Sequence, residues 1–326
     1  MAGVAHLRTT GQKTSLRRLC RNVVVLGWRS FTEQSRNIVE MRIKLVISIF
    51  FGLLLGGIYS NIGNSQKSIQ NRVGLLFFVG INSSFTAVLA VLNVFPKEKV
   101  IVNRERSARA YDVFSYFAAK VLVEIPLNVL PPVVYGCILY WIVGLNPNTF
   151  GYFLLILMLS VTLAISLGLW VSSFAPSPEA ASVMGPPLLI IGLLFGGYYI
   201  NVDSLPIVAN WIPYVSFMRW TFQALIVNEF TGLSFDCSGV ADDACTKTGE
   251  QAISKLSFGG HSTAYGVFGM GMLLLAFLAL ALLSLYAGAA RYVPLGFEGE
   301  AYRRLKAAGA QGSGAAAVHA PADPEK

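Results

Sequence analysis

The stretch Gly151-Tyr-Phe-Leu-Leu-Ile-Leu-Met-Leu-Ser-Val-Thr-Leu-Ala-Ile-Ser-Leu-Gly-Leu-Trp-Val-Ser-Ser-Phe174 carries no charged side chain from end to end. It exceeds the roughly 20 apolar residues that cross a bilayer as a helix, and it is too long for an ordinary core helix. Working outward from it, comparable runs lie at 43–60, 74–95, 118–144, 183–200 and 264–290. Composition agrees: the 326 residues are 54% hydrophobic and 13% charged, whereas soluble domains carry about 25% charged residues. The expected fold is therefore an all-α integral membrane protein with six transmembrane helices.

A net charge of +8 suits either a nucleic-acid binder or a membrane protein with basic residues on its inner side. Their location decides between the two. Of the 25 Lys and Arg, 20 fall in segments 1–44, 95–120 and 291–326, and no RNA- or DNA-binding motif lies among them. No nucleic-acid partner is expected. Six spans place both ends on one side, and segments 1–44 and 95–120 hold fifteen basic residues against five in loops 61–73 and 201–263. Both termini are thus expected in the cytoplasm; the choice between plasma membrane and an organelle stays open.

The chain divides into a cytoplasmic N-terminus (1–42), a six-helix domain (43–290) and a cytoplasmic tail (291–326). The tail's Ala, Gly and Pro content from residue 307 onward predicts disorder. No apolar region precedes residue 43, so no cleavable signal is expected and the first span acts as its own. Residues 15–31 mix Arg17, Arg18, Arg21 and Arg29 with Leu19, Val23, Leu26 and Trp28, which suits an interfacial helix; an ordinary basic linker is the alternative.

The outer loop 201–263 is the longest polar connection, yet its first half, 205–228, is nearly as apolar as a span. Pro206, Pro213 and Arg219 argue against a seventh crossing. Helices at the outer interface are expected, anchored by Trp211, Tyr214 and Trp220. Cys237 and Cys245 share this loop while Cys20 and Cys137 stand apart. The topology exports the loop to an oxidising side, so a Cys237–Cys245 disulfide is expected.

Catalytic chemistry is missing. His6, His261 and His319 lie outside the spans, and Glu124 is the acid well inside one, so neither a catalytic site nor a metal site is expected. In Gly11-Gln-Lys-Thr14 the Lys does not follow its Gly directly, as a phosphate loop requires. Leu256-Ser-Phe-Gly-Gly260 falls on the outer side, where no ATP is bound. The glycosylation sequon Asn82-Ser83-Ser84 falls within a span. By itself the chain is expected neither to bind nor to hydrolyse ATP, and no cofactor is expected in it.

Several stretches carry a family resemblance. Phe95-Pro-Lys-Glu-Lys-Val-Ile-Val-Asn-Arg-Glu-Arg106, followed by Tyr111-Asp-Val-Phe-Ser-Tyr-Phe117, resembles the cytoplasmic loop between helices two and three of G-subfamily (white-brown complex) ABC half-transporters. Gly74-Leu-Leu-Phe-Phe78 with Asn82 and Phe85 resembles their second helix, and Glu124-Ile-Pro126 their third. Phe195-Gly-Gly-Tyr-Tyr-Ile-Asn201, Trp211-Ile-Pro213, Arg219-Trp220, Asn228-Glu-Phe230 and Thr248-Gly-Glu-Gln251 resemble the fifth helix and outer loop of plant-type members. The order of these pieces, over about residues 15–290, is what makes the likeness specific. It implies the membrane domain of a type II ABC exporter, dimerised with a second membrane half, homo- or heteromeric, around a central cavity. ATP and Mg²⁺ would be held by an ABC ATPase domain docked below. Such a domain normally precedes the membrane domain and is not among these 326 residues, so the ATPase is expected either as a separate polypeptide or as a part of a longer half-transporter.

The resemblance also assigns residues. Phe78, Asn82, Phe85 and Leu89 share a helix face. With Phe77, Phe78, Asn82 and Phe85 are candidates for the substrate cavity, stacking on flat apolar compounds; plain helix packing is the alternative. Ile190 and Leu193 would line the cavity from the fifth helix. Tyr198 and Tyr199 would form the plug above it, or else an interfacial aromatic belt. Glu124 would be neutral or paired, as a polar relay. Arg104, Glu105, Arg106, Arg109 and Tyr111 would couple the domain to the ATPase, or lie against anionic lipid. The function implied is export of lipids, sterols or other hydrophobic compounds. A passive pore or carrier, or a regulatory membrane subunit, is the other reading.

Overall fold

The computed structural model describes residues 16–107, 111–200, 205–237 and 245–288. Among them lie ten α-helices: α1 (Leu16–Arg36), α2 (Ile38–Ile58), α3 (Gln66–Ser107), α4 (Val113–Val143), α5 (Phe150–Phe174), α6 (Pro178–Leu194), α7 (Ile212–Val215), α8 (Phe217–Phe230), α9 (Gly249–Lys255) and α10 (Thr263–Ala287). The β content of the described residues is two isolated bridges, Ser65 to Asp236 and Ser234 to Thr248. An all-helical solution is what a bilayer demands, since each helix satisfies its own backbone N–H and C=O groups. Residues 66–105, 113–143, 147–174 and 263–287 are long and apolar enough to cross a membrane, while 178–194 is apolar but shorter. The tail from residue 289 lies outside the described residues.

The uncharged stretch 151–174 falls in α5, the most enclosed of the four helices long enough to span a membrane, packed by α3, α10, α4 and α8. Trp170 of α5 stacks on Phe277 of α10 with centroids 5.6 Å apart. On α2, α4 and α10, many large apolar side chains, among them Phe50, Leu53, Leu122, Trp141, Phe268 and Leu275, are left exposed. In water such a surface would aggregate; here it is the face offered to lipid.

Two boundaries differ from the sequence expectation. The stretch 95–106 resembles a cytoplasmic loop, but α3 runs through it without a break. The charges stay in a helix because Lys99, Glu98 and Glu105 all find partners there. Segment 217–230 reads as an outer-surface helix, yet every residue of α8 is buried. Glycines on α10 make room for it. A Cβ on Gly269 would stand 2.1 Å from Trp220 Cε3, so only a glycine admits the indole. Trp220 is therefore a packing residue, not an interfacial anchor; its Nε1 donates to Tyr214 O at 2.9 Å. Trp211 and Tyr214 remain exposed.

The loop end of the bundle is tied in several places. Gln66 Nε2 donates to Thr246 O (2.9 Å), and Thr246 N donates to Gln66 Oε1 (3.0 Å). Cys237 and Cys245 are joined in a disulfide with Cα atoms 5.8 Å apart. Deeper in, the Arg72 guanidinium of α3 meets the Glu229 carboxylate of α8, both nearly fully buried. Asn146 N donates to both Glu229 oxygens at 3.2 Å, and Arg72 Nη2 donates to Ile62 O at 3.1 Å. Burial pushes the Glu229 carboxyl up, to about 7, against the opposing pull of Arg72 and the Asn146 amide.

Candidate substrate path and coupling surface

Residues 78, 85 and 89 of α3 form an apolar stripe beside α6. Phe78 and Leu89 are exposed, and Phe85 is half-buried. On α6, Ile190 is exposed and Leu193 is half-buried against the core. The two helices pack together, with Leu92 of α3 directly against Gly185 of α6. Asn82 stands at the seam. One flank of α3 is the aromatic stripe, and the other turns Asn82, Ser83 and Thr86 toward α2 and α4, where they line a small chamber with Asn128 and Tyr135.

Phe77 takes a different place from Phe78. It is buried, stacked on Tyr198 at 4.3 Å and 14°, and met edge-on by Tyr199 (5.5 Å) and Phe222 (5.2 Å). The pair Tyr198 and Tyr199 thus packs over Phe77 near the loop end of α3. Local sequence puts the pair there. α6 ends at Leu194, and the turn that follows passes through Gly197 with φ +87°, a conformation that favours glycine. A Cβ on Gly192 would stand 2.6 Å from Phe217, so the end of α6 rests directly on α8. Ser216 fastens the contact: its Oγ donates to Gly192 O at 2.7 Å and accepts from Arg219 N.

At the other end, Glu124 is buried and ion-paired to Lys120, one turn away on α4 (3.2 Å). Lys120 is paired in turn with Glu98 of α3 (2.6 Å), and Tyr116 Oη donates to Glu98 at 3.4 Å. Lys120 lies at the start of a predicted span and Glu98 in a predicted loop, so only the α3–α4 contact reveals that Glu124 belongs to a triad. Lys99 serves another joint, donating to the carbonyls of Ser173 (2.6 Å) and Ala175 (3.0 Å) at the end of α5.

Of the coupling candidates, Glu105 and Tyr111 meet at 2.6 Å, and Glu105 also receives both contacts of Arg29 from α1 (2.9 and 3.1 Å). The carboxylate raises the Arg29 guanidinium above its ordinary value. α1 is thereby clamped to the end of α3, and it packs along α4 as well. Arg104 is exposed. The side chain of Arg106, and Arg109 altogether, lie outside the described residues. Among the described residues no group of three or more His, Cys, Asp or Glu could hold a metal ion.

The sequence that folds into this bundle matches a known family. The profile described as ABC-2 type transporter covers residues 21–230. This chain belongs to that family.

The relatives narrow the group. The chain is 40% identical over 243 residues to ABC transporter G family member 7 of Arabidopsis thaliana, covering 74% of this chain and 33% of the relative. It is 28% identical over 269 residues to Protein white of Drosophila melanogaster, covering 81% and 39%. It is 30% identical over 224 residues to the broad substrate specificity ATP-binding cassette transporter ABCG2 of Bos taurus, covering 68% and 34%. The chain thus spans about a third of the length of these relatives, and the part it spans is the membrane domain of G-family ABC transporters. It is an integral multi-pass membrane domain.

Proposed function

We propose that this ABC-2 domain is the membrane half of an ATP-driven exporter of lipids, sterols or other hydrophobic compounds. An ABC ATPase domain working with it supplies the ATP and Mg²⁺ chemistry, and a second membrane half, identical or related, completes the path. In this reading α2 and α6 join the four longer helices as six spans with both termini in the cytoplasm. The observation that carries the proposal is the α3–α6 face. It leaves Phe78, Leu89 and Ile190 exposed, with Tyr198 and Tyr199 packed on the neighbouring Phe77, and exposed aromatic and aliphatic side chains of this kind suit flat apolar guests. At the opposite end, the Arg29–Glu105–Tyr111 joint would carry ATPase movements into α3 and α1.

The test is Phe85→Ala in the transporter reconstituted with its ATPase. Losing one stacking partner costs about 0.5–1.5 kcal/mol beyond lost area, so apparent substrate affinity is expected to fall by a few-fold to about tenfold, with basal ATPase and melting temperature held. If Phe85 only packs the bundle, the truncation instead leaves a cavity costing roughly 3–5 kcal/mol. Unchanged affinity with a large stability loss would remove Phe85 from the path.

A further inference from the structure

Two connected chambers open between α2, α3 and α4 on the α1 side of the bundle, away from the exposed α3–α6 stripe. The wider one, about 170 Å³, has the carboxylates of Glu33, Glu40, Glu98 and Glu124 in its wall. The narrower one, about 70 Å³, continues from it, the two sharing Lys44, Ala90 and Asn128.

Charge does not balance in the wider chamber. Glu40 is matched by Lys44 at 2.7 Å, while Glu98 and Glu124 share the single ammonium of Lys120. Glu33, exposed at the mouth, adds a fourth carboxylate. Arg29, one turn before it on α1, is engaged by Glu105. With Arg36 of α1 beside Glu33, four carboxylates stand against two ammonium groups and one exposed guanidinium, and the excess is negative.

Hydrogen bonding does not balance in the narrower chamber. Ser83 and Tyr135 line it, are 2% and 1% exposed, and have hydroxyls without a hydrogen-bond partner among the described residues. Buried polar groups are nearly always satisfied, and an unmet one is costly. Two unmet hydroxyls beside a cavity fit a guest that supplies their partner. The remaining wall, including Val94 and Leu127 in the wide chamber and Ile47 and Pro131 in the narrow one, is apolar.

We propose that this groove binds an amphipathic amine bearing a hydroxyl or carbonyl. The ammonium lies among the carboxylates at the mouth, the apolar body follows Ala90, and the oxygen meets Ser83 and Tyr135. The proposal concerns binding alone and holds whether or not the domain transports. The same chemistry is offered by an aminated lipid headgroup and by a free amphiphile, so the test separates them.

The full chain is placed in nanodiscs of phosphatidylglycerol, which carries no amine, and titrated with a diazirine-bearing twelve-carbon amino alcohol or with its uncharged N-acetyl form. The amine is expected to label α2, α3 and α4 saturably and to bind at least about tenfold more tightly than the N-acetyl probe. The double variant Glu33→Gln, Glu40→Gln is expected to weaken the amine about tenfold and leave the N-acetyl probe unchanged. Tyr135→Phe is expected to weaken both probes about three- to tenfold while the melting temperature of the ligand-free chain stays level or rises, because an unmet hydroxyl has been removed. Competition by added phosphatidylethanolamine assigns the site to a lipid headgroup, and lack of competition assigns it to a free amphiphile. Equal affinity for the two probes, labelling confined to α6 or α10, or variants that bind like wild type would overturn the proposal.

Discussion

Replacing Lys120 by Met removes the ammonium that stands between Glu98 and Glu124. The side chains of Lys120 and Glu124 are 2% and 4% exposed, and that of Glu98 is 26% exposed. Met occupies nearly the same space, so the packing of α4 on α3 is kept and the loss is electrostatic. Removing one partner of a buried ion pair costs about 3–5 kcal/mol, because the carboxylate left behind is desolvated and uncompensated. Glu98 contributes less to that loss, since water reaches it. The exposed pair Arg29–Glu105, with side chains 55% and 29% open, is the internal contrast: Glu105→Gln is expected to cost about 1 kcal/mol or less. Unfolding of the purified chain in mixed micelles by SDS, followed by tryptophan fluorescence, measures both. The double variant Lys120→Met, Glu124→Gln is expected to recover more than half of the loss, since the neutral amide needs no countercharge. A single-variant loss below about 1 kcal/mol, or a double variant no more stable than Lys120→Met, would refute the triad as a stabilising unit.

Glu229 gives a pH prediction. Burial raises its carboxyl to about 7, above the ordinary ~4.3 of an unfolded chain. The folded state therefore holds the proton more firmly, and this group's contribution is full below ~4.3 and lost as pH rises through about 7. Stability of wild type relative to Glu229→Gln is expected to decline by on the order of 1–3 kcal/mol between pH 5 and pH 8; a flat difference would contradict the assignment. Gly269→Val drives a side chain into Trp220, and a loss of about 1–3 kcal/mol from overpacking with a red-shifted tryptophan emission is expected; a wild-type spectrum and stability would show that α8 is not seated on α10. Alkylation without reductant is expected to modify Cys20 and Cys137 only, with Cys237 and Cys245 held in their bond, and intact mass showing four adducts would exclude it.

What the sequence alone determines here is the solvent. A run such as 151–174 without one charge has no stable place in water at that length, and the position of Lys and Arg between the runs makes a nucleic-acid reading unnecessary. The family is legible too, because Phe95–Arg106, Glu124-Ile-Pro126 and Asn228-Glu-Phe230 come in one order. Glu124 stands out for the same physical reason: a carboxyl within an apolar run needs a partner. Which partner it has is a property of the packed bundle. Lys120 and Glu98 belong to two helices whose contact no local pattern specifies.

The same limit explains α8. Its apolar residues are interspersed with Arg219, Gln223, Asn228 and Glu229, and such a segment can lie on the membrane surface or sink into the protein with the same composition. The glycines on α10 that admit Trp220 and Ala224 are more than forty residues away in sequence, so only the tertiary contact decides between the two. Arg72 and Glu229 look like loop charges until α3 and α8 bring them together, 157 residues apart. Asn82 shares a helical face with Phe78 and Phe85 on spacing alone. Only the arrival of α2 and α4 along its other side turns that amide toward the chamber holding Ser83 and Tyr135. Periodicity says which residues lie near one another on one helix, whereas the partner that covers them depends on how long-range packing buries apolar area and pairs charge across the whole bundle.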